Sequence, residues 1–290
     1  MTARTLLLTA VTMSFFAANS LLARLALRGG EIDGATFTAV RIGAGAVALA
    51  ILVAFRRQGI GAIRGNGSLR AAFALFSYAI AFSFAYTALS AGTGALVLFG
   101  AVQITMLGVG IARGERPPPA EWLGLAFALG GLAYLVSPGL TAPSPGGVAL
   151  MAASGIAWGY YSLAAKGVQS PIAATAGNFV RAAPMAGAAL LILWMSGRTQ
   201  TSASGLALAT VSGAVTSGLG YVLWYLALER LPSSRAAIVQ LTVPVIAAVA
   251  GVVLLGEPPT FRLLFAAMAI LGGVALALLS KQRGVPAKDG

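Results

Sequence analysis

The sequence predicts an all-α membrane protein of ten transmembrane helices, built as an inverted repeat of two five-helix halves. Three observations carry this. Hydrophobic residues make up 58% of the 290-residue chain and charged residues 9%, a balance that folding alone cannot hide from water. Ten apolar runs follow one another, each long enough to cross ~30 Å of hydrocarbon as a helix. Finally, the stretch from Gly114 (GERPPPAEWLGLAFALGGLAYL) recurs from Gly256 (GEPPTFRLLFAAMAILGGVALAL) at a constant offset of 142 (256 − 114). Gly114-Glu115 answers Gly256-Glu257, and Leu129-Gly130-Gly131 answers Leu271-Gly272-Gly273. A period of that length marks one unit repeated.

Breaking the chain at charges, prolines and Gly/Ser clusters places the runs at 6–27, 34–55, 70–90, 94–112, 120–137, 147–165, 172–195, 205–228, 234–255 and 262–280. Run 1 has the look of a signal peptide. However, Ser20-Leu21-Leu22-Ala23-Arg24 matches Ser162-Leu163-Ala164-Ala165-Lys166 in the plainly internal run 6, so run 1 is expected to be retained. In runs 2 and 7, Val40-Arg41 matches Val180-Arg181, and in runs 3 and 8, Ala88-Leu89 matches Ala227-Leu228. The repeat thus divides the chain into 1–140, 141–280 and a polar tail, 281–290. Five spans per half is odd, so the second half enters the membrane upside down.

Lysine and arginine set the orientation. With the N-terminus in the cytoplasm, thirteen basic residues fall on the inner side (Arg4, Arg56, Arg57, Arg64, Arg70, Arg113, Arg116, Lys166, Arg230, Arg235, Lys281, Arg283 and Lys288). Four fall outside: Arg24, Arg28, Arg198 and Arg262. The bias puts both termini in the cytoplasm, in the cytoplasmic (inner) membrane of the cell. The net charge of +12 is explained by this topology and not by nucleic acid, because the basic residues sit singly between apolar runs. The expected partners are the bilayer and a small-molecule substrate, and a monomer suffices.

The chain has no cysteine and no histidine. That removes the thiolate, the commonest metal ligand and the usual general base. No nucleophile with a base, metal cluster or paired carboxylates is visible, so neither an enzyme nor a cofactor or metal is expected. A channel is disfavoured by the short loops and the repeat. All seven acids (Glu31, Asp33, Glu115, Glu121, Glu229, Glu257, Asp289) fall in loops, tails or helix ends. The expectation is therefore a gradient-driven, facilitative carrier without a proton relay, working by alternating access of the two halves.

Two five-helix halves, each closing on Gly-Glu-(x)-Pro and a Gly-Gly helix, resemble the EamA family of the drug/metabolite transporter superfamily. The fourth run (GALVLFGAVQITMLGVGIARGERP, 94–117) further resembles the YddG-type amino-acid exporters. That resemblance implies export of amino acids, aromatic and other large neutral ones. Export of drugs or other metabolites is the alternative on the same fold. One departure is that Val102 stands where EamA repeats commonly carry proline, whereas the second half keeps Pro244 at the matching place.

Polar and aromatic residues at membrane depth are the site candidates. Arg41 and Arg181, symmetry mates ~10–13 Å deep, either clamp a substrate carboxylate or serve as structural arginines. Symmetric placement favours the latter. Gln103 and Gln240 either read a zwitterion or tie helices together. Pro184 and Pro244 free carbonyls four residues back and mark hinges or static kinks. Tyr78, Phe82 and Tyr86 share one face of run 3, and Tyr221 and Tyr225 share one face of run 8, beside Trp224. Tyr78, Phe82 and Tyr221 are expected to line a cavity with Trp158 and Asn178. Tyr86, Trp224 and Tyr225 suit an interfacial belt. Asn19 is the buried polar residue of run 1. Gly155 and Gly159 form a GxxxG whose expected role is close packing.

Overall fold

The computed structural model describes residues 3–56, 59–112, 119–137, 142–164, 168–228, 240 and 242–282. Within them the chain is helical. Spans α1 to α7 are Ala3–Arg28, Gly34–Phe55, Leu69–Tyr86, Ala91–Ala112, Pro119–Val136, Pro145–Ala164 and Pro171–Met195. Span α8 is composite, joining Ala203–Val211, a π-helical segment Ser212–Leu219, and Gly220–Leu228. Spans α9 (Thr242–Leu255) and α10 (Phe261–Gln282) complete the set. Each expected run coincides with one of these helices, with ends moved by a few residues. For run 9, residues 234–239 lie outside the described part. One element was not expected from the sequence, a short helix Gly59–Gly65 in the α2–α3 connection.

Among the described residues, six spans (α1, α2, α3, α4, α7, α8) are long and apolar enough to cross a bilayer, and α5, α9 and α10 carry shorter apolar stretches. Their outer faces present Phe73, Trp122, Phe127, Ile192, Val253 and Phe265 in the open. An apolar exterior of this kind is stable against acyl chains and not against water. The chain is therefore a multi-pass membrane protein.

The main packing pairs are α5 with α10, α2 with α7, α4 with α9, α3 with α6 and α7, α4 with α6, and α1 with α8 and α9, while α2 also meets α8. Exchanging α1–α5 for α6–α10 maps this set onto itself: α3–α6 becomes α8–α1, α4–α6 becomes α9–α1, and α3–α7 becomes α8–α2. The halves are related by a pseudo-two-fold, as an inverted repeat requires. Glycines set the closest approaches. A Cβ on Gly131 would sit 2.8 Å from Ala269 Cβ, and one on Gly273 would meet the Gly124 carbonyl at 2.5 Å. These two repeat-related glycines are thus what lets α5 and α10 cross. Gly155 lies against the Leu98 carbonyl and Gly159 against Thr105, so the GxxxG of α6 packs on α4 as expected.

Helix ends are capped by local chemistry. Asp33 Oδ1 accepts from the Ala35 and Thr36 N–H groups at 2.9 and 2.8 Å. Ser68 and Ser202 cap α3 and α8. Each accepts an N–H that the first turn would otherwise leave unpaired.

Candidate functional site

Aromatic residues from both halves meet at the crossing of α1, α3, α6 and α8. Phe16 of α1 is edge-on to Trp158, Tyr221 and Trp224, at centroid distances of 6.0, 5.9 and 5.8 Å. Trp158 of α6 lies 4.8 Å from Tyr78 and 4.8 Å from Tyr221. Phe82 stands between Tyr78 and Tyr86, at 5.4 and 4.7 Å. Four sequence candidates (Tyr78, Phe82, Trp158 and Tyr221) are thereby brought together. Their rings touch, so the two aromatic walls are closed on one another.

The belt expectation is corrected. Tyr86, Trp224 and Tyr225 are 0, 4 and 8% exposed. Tyr86 packs against Gly94 and sends its hydroxyl to the Ala91 carbonyl at 3.4 Å. Proximity to a helix end says how deep a ring lies, not whether it faces lipid or a neighbouring helix.

Arg41 holds the centre of the polar network. It is 1% exposed. Its Nε donates to Ser217 Oγ at 2.9 Å, and Nη2 donates to the hydroxyls of Tyr78 and Tyr221 at 2.9 and 3.2 Å. The guanidinium carbon stands 5.1 Å from the Tyr78 ring centroid and 4.8 Å from that of Phe82, within cation–π range. Nη1 is buried without a hydrogen-bond partner among the described residues. Close by, Asn19 Oδ1 accepts from Ser212 Oγ at 2.7 Å and Thr216 Oγ1 at 3.1 Å, and its Nδ2 faces the Tyr78 hydroxyl at 3.5 Å.

The π segment explains why Ser212, Thr216 and Ser217 all reach this network. Widening the helix changes which side chains share a face. It also runs against α2, where a Cβ on Gly213 would fall on the Arg41 carbonyl oxygen. Sequence reasoning missed this element. The only signal was a cluster of hydroxyls in an otherwise apolar run.

Arg181, the repeat mate of Arg41, is placed differently. Its Nη1 donates to the carbonyls of Asn66 and Gly177 at 2.8 and 3.0 Å, and Nη2 to that of Arg64 at 2.7 Å. It caps the C-terminus of the short helix, where a cation complements the helix dipole. Asn178 Oδ1 accepts from the Ser68 N–H at 2.9 Å, so it too is engaged at that end. Gln103 and Gln240 are buried, with Nε2 of the first and Oε1 of the second unpartnered among the described residues, as is Trp158 Nε1. Pro184 lies inside α7. Pro244 lies within α9.

The opposite end of the bundle is latched. Gly256 has φ +64°, a left-handed conformation glycine adopts without cost. The turn carries Glu257 back, and both its oxygens accept the Ala91 N–H, at 3.1 and 2.9 Å. Arg24 Nε pairs with Glu257 Oε1 at 3.2 Å, and Arg24 Nη1 donates to the Tyr86 carbonyl at 3.0 Å. Arg28 adds a bond to the Leu255 carbonyl at 2.7 Å. The Gly-Glu of the repeated motif thus ties α1, α3, α4 and α9 together. Its first copy, Gly114-Glu115, and Lys166, the mate of Arg24, lie outside the described residues.

Comparison with known proteins agrees with this architecture. The EamA-like transporter family matches residues 145–279, the second half of the repeat. The chain belongs to that family. A protein of Pseudomonas aeruginosa described only as uncharacterised is 51% identical over 287 residues, covering 99% of this chain and 98% of its own. A solved structure titled only as the crystal structure of a protein superposes with a TM-score of 0.69 at 19% identity, covering 98% of this chain and all of that one. At that identity the likeness speaks for the fold alone, and it is the family that implies the drug/metabolite transporter fold. Members of the family are transporters, so a small-molecule substrate and a bilayer are this protein's partners.

Proposed function

We propose that this EamA-family protein is a facilitative exporter of amino acids, aromatic and other large neutral ones, across the cytoplasmic membrane by alternating access. The observation that carries the reading is the aromatic cluster on the pseudo-two-fold. Tyr78 and Phe82 come from one half, and Trp158 and Tyr221 from the other. Flat side chains stack on such surfaces, and a site shared by the two halves is exposed to either face when they exchange conformations. The moving bodies are 1–140 and 141–280, and the tail 281–290 lies in the cytoplasm with the N-terminus. In that orientation the Arg24–Glu257 latch is the outer closure. Gln103 and Gln240 have hydrogen-bonding capacity left for the polar groups of a zwitterion. Pro184 and Pro244 serve as hinges, while Arg181 and Asn178 hold the inner end of the α2–α3 connection.

The test is counterflow in liposomes holding the purified protein and a panel of labelled amino acids. Saturable exchange of phenylalanine, tyrosine, tryptophan and leucine is expected, falling at least tenfold in Tyr78→Ala. Exchange of none of them, with uptake of dyes or other metabolites instead, overturns the amino-acid assignment and leaves the carrier.

A further inference from the structure

We propose that Arg41 is the carboxylate-recognising group of the central site, and that the site accepts aromatic monocarboxylates whether or not they carry an amino group. This rests on the aromatic cluster being the transport site.

An arginine presents five N–H donors and stays charged at any accessible pH. Arg41 uses three, one from Nε and two from Nη2. Both donors of Nη1 are buried and left over among the described residues. Among the described residues, its partners are all neutral: Ser217, Tyr78, Tyr221 and the faces of Tyr78 and Phe82. Of the acids whose side chains are described, Glu257 is committed to Arg24 and the Ala91 N–H, Asp33 caps α2, and Glu31 is bound by Ser202 and Ser204. None is a partner of Arg41. A buried cation without a counter-ion is costly, and bringing an anion to it removes much of that cost. The group that matches a spare N–H pair on a fixed guanidinium is a carboxylate. The ring that follows it meets Tyr78, Phe82, Trp158 and Tyr221.

The opposite charge is provided for less well. Asn19 Oδ1 already accepts two hydroxyls, and the hydroxyls of Tyr78 and Tyr221 already accept from Arg41. Gln240 Oε1 is the one buried side-chain amide oxygen left unpartnered among the described residues, and a neutral amide compensates a desolvated ammonium poorly. A monoanion neutralises the site, whereas a zwitterion leaves the original charge in place. The asymmetry makes the carboxylate obligatory and the ammonium dispensable.

The experiment measures thermal stabilisation of the purified protein by four probes sharing one ring: phenylalanine, 3-phenylpropanoate, phenylalaninamide and 2-phenylethylamine. A ligand that binds only the folded state raises the melting temperature with concentration. Phenylalanine and 3-phenylpropanoate are expected to stabilise, the latter at roughly tenfold lower concentration (one unit of 1.4 kcal/mol), and the two carboxylate-free probes are not. Arg41→Gln is expected to abolish the response. Ser217→Ala frees Nε without removing the charge and is expected to weaken it severalfold, which keeps a variant in hand should Arg41→Gln not fold. Stabilisation by the amide and amine equal to that by the acids overturns the proposal, as does no response to any probe. Binding of 3-phenylpropanoate but not phenylalanine upholds it and overturns the amino-acid reading. Exchange of phenylalanine without any binding of 3-phenylpropanoate does the reverse.

Discussion

At the scale of single residues, the two tyrosine hydroxyls facing Arg41 are not equivalent. Tyr78 accepts at 2.9 Å and is also approached by Asn19 Nδ2, whereas Tyr221 accepts at 3.2 Å. Removing either hydroxyl leaves a buried guanidinium N–H unpaired, a loss of about 1.5–3 kcal/mol for a charged hydrogen bond. Tyr78→Phe is expected to cost more stability than Tyr221→Phe. The double variant is expected to fall short of the sum, because both bonds end on the same Nη2. Melting temperatures of the three variants check this, and strict additivity counts against a shared network. Arg181→Ala supplies the contrast. It removes the cap from Gly59–Gly65, so a lower melting temperature with unchanged substrate KM is expected in proteoliposome flux. The different fates of Arg41 and Arg181 were not legible in the sequence. A repeat fixes where a residue lies in the membrane, but its partners are supplied by other helices. Arg41 meets the π segment of α8, while Arg181 meets the short helix beside α3.

At the scale of elements, the latch is a helix cap, an ion pair and a loop turn held by one carboxylate. Glu257→Gln keeps an oxygen for the Ala91 N–H but loses the charge that holds Arg24. The expected result is easier separation of α1 from the α9–α10 turn. The chain contains no cysteine, so a single one at Ala23, buried beside Arg24, reports on it without background. Labelling by an impermeant maleimide is expected to quicken at least threefold in Glu257→Gln, and an unchanged rate removes the latch from the gating account. A second contact at the same end titrates. The hydroxyls of Ser202 and Ser204 hold the exposed Glu31 carboxyl below its usual range. Because the folded value is the lower one, the contact's contribution is complete above the unfolded value of about 4.3 and lost as pH falls through the folded value. Melting curves of the protein and of Glu31→Gln are expected to differ at neutral pH and converge in acid. Helices of this kind were legible because a span needs only length and apolar content. The latch was legible in part: the recurrence of Gly-Glu was plain, but a recurring pair does not say which helix end the carboxylate reaches. The π segment left only hydroxyls at 212, 216 and 217 as a trace. The buried Tyr86 was misread because depth and facing are separate properties.

At the scale of the whole molecule, charge balance decides what drives transport. A carrier that takes a ligand across without a companion ion moves the ligand's own charge and nothing else. The three acids whose side chains are described, Glu31, Asp33 and Glu257, lie at the latched end and are hydrogen-bonded there. By sequence, the other four fall in loops, tails or helix ends. The central network is built from arginine, hydroxyl and amide groups, none of which gains or loses a proton near neutral pH. Net flux of a zwitterionic amino acid is therefore expected to be indifferent to membrane potential and to a pH gradient. An aromatic monocarboxylate carried through the same site moves one negative charge per cycle. A potential of 100 mV is worth about 2.3 kcal/mol per charge, or a concentration ratio of about 50 at equilibrium. Proteoliposomes clamped by a potassium gradient with valinomycin test both cases at equal pH on the two sides. Accumulation of 3-phenylpropanoate on the positive side, with phenylalanine equal on both, is the expected outcome. Phenylalanine accumulating on the negative side points to a co-transported cation. If a pH gradient alone accumulates it, that cation is a proton, and facilitative movement is overturned. The group carrying that proton then has to be sought among the acids of the helix ends, because the Arg41 network has none to offer.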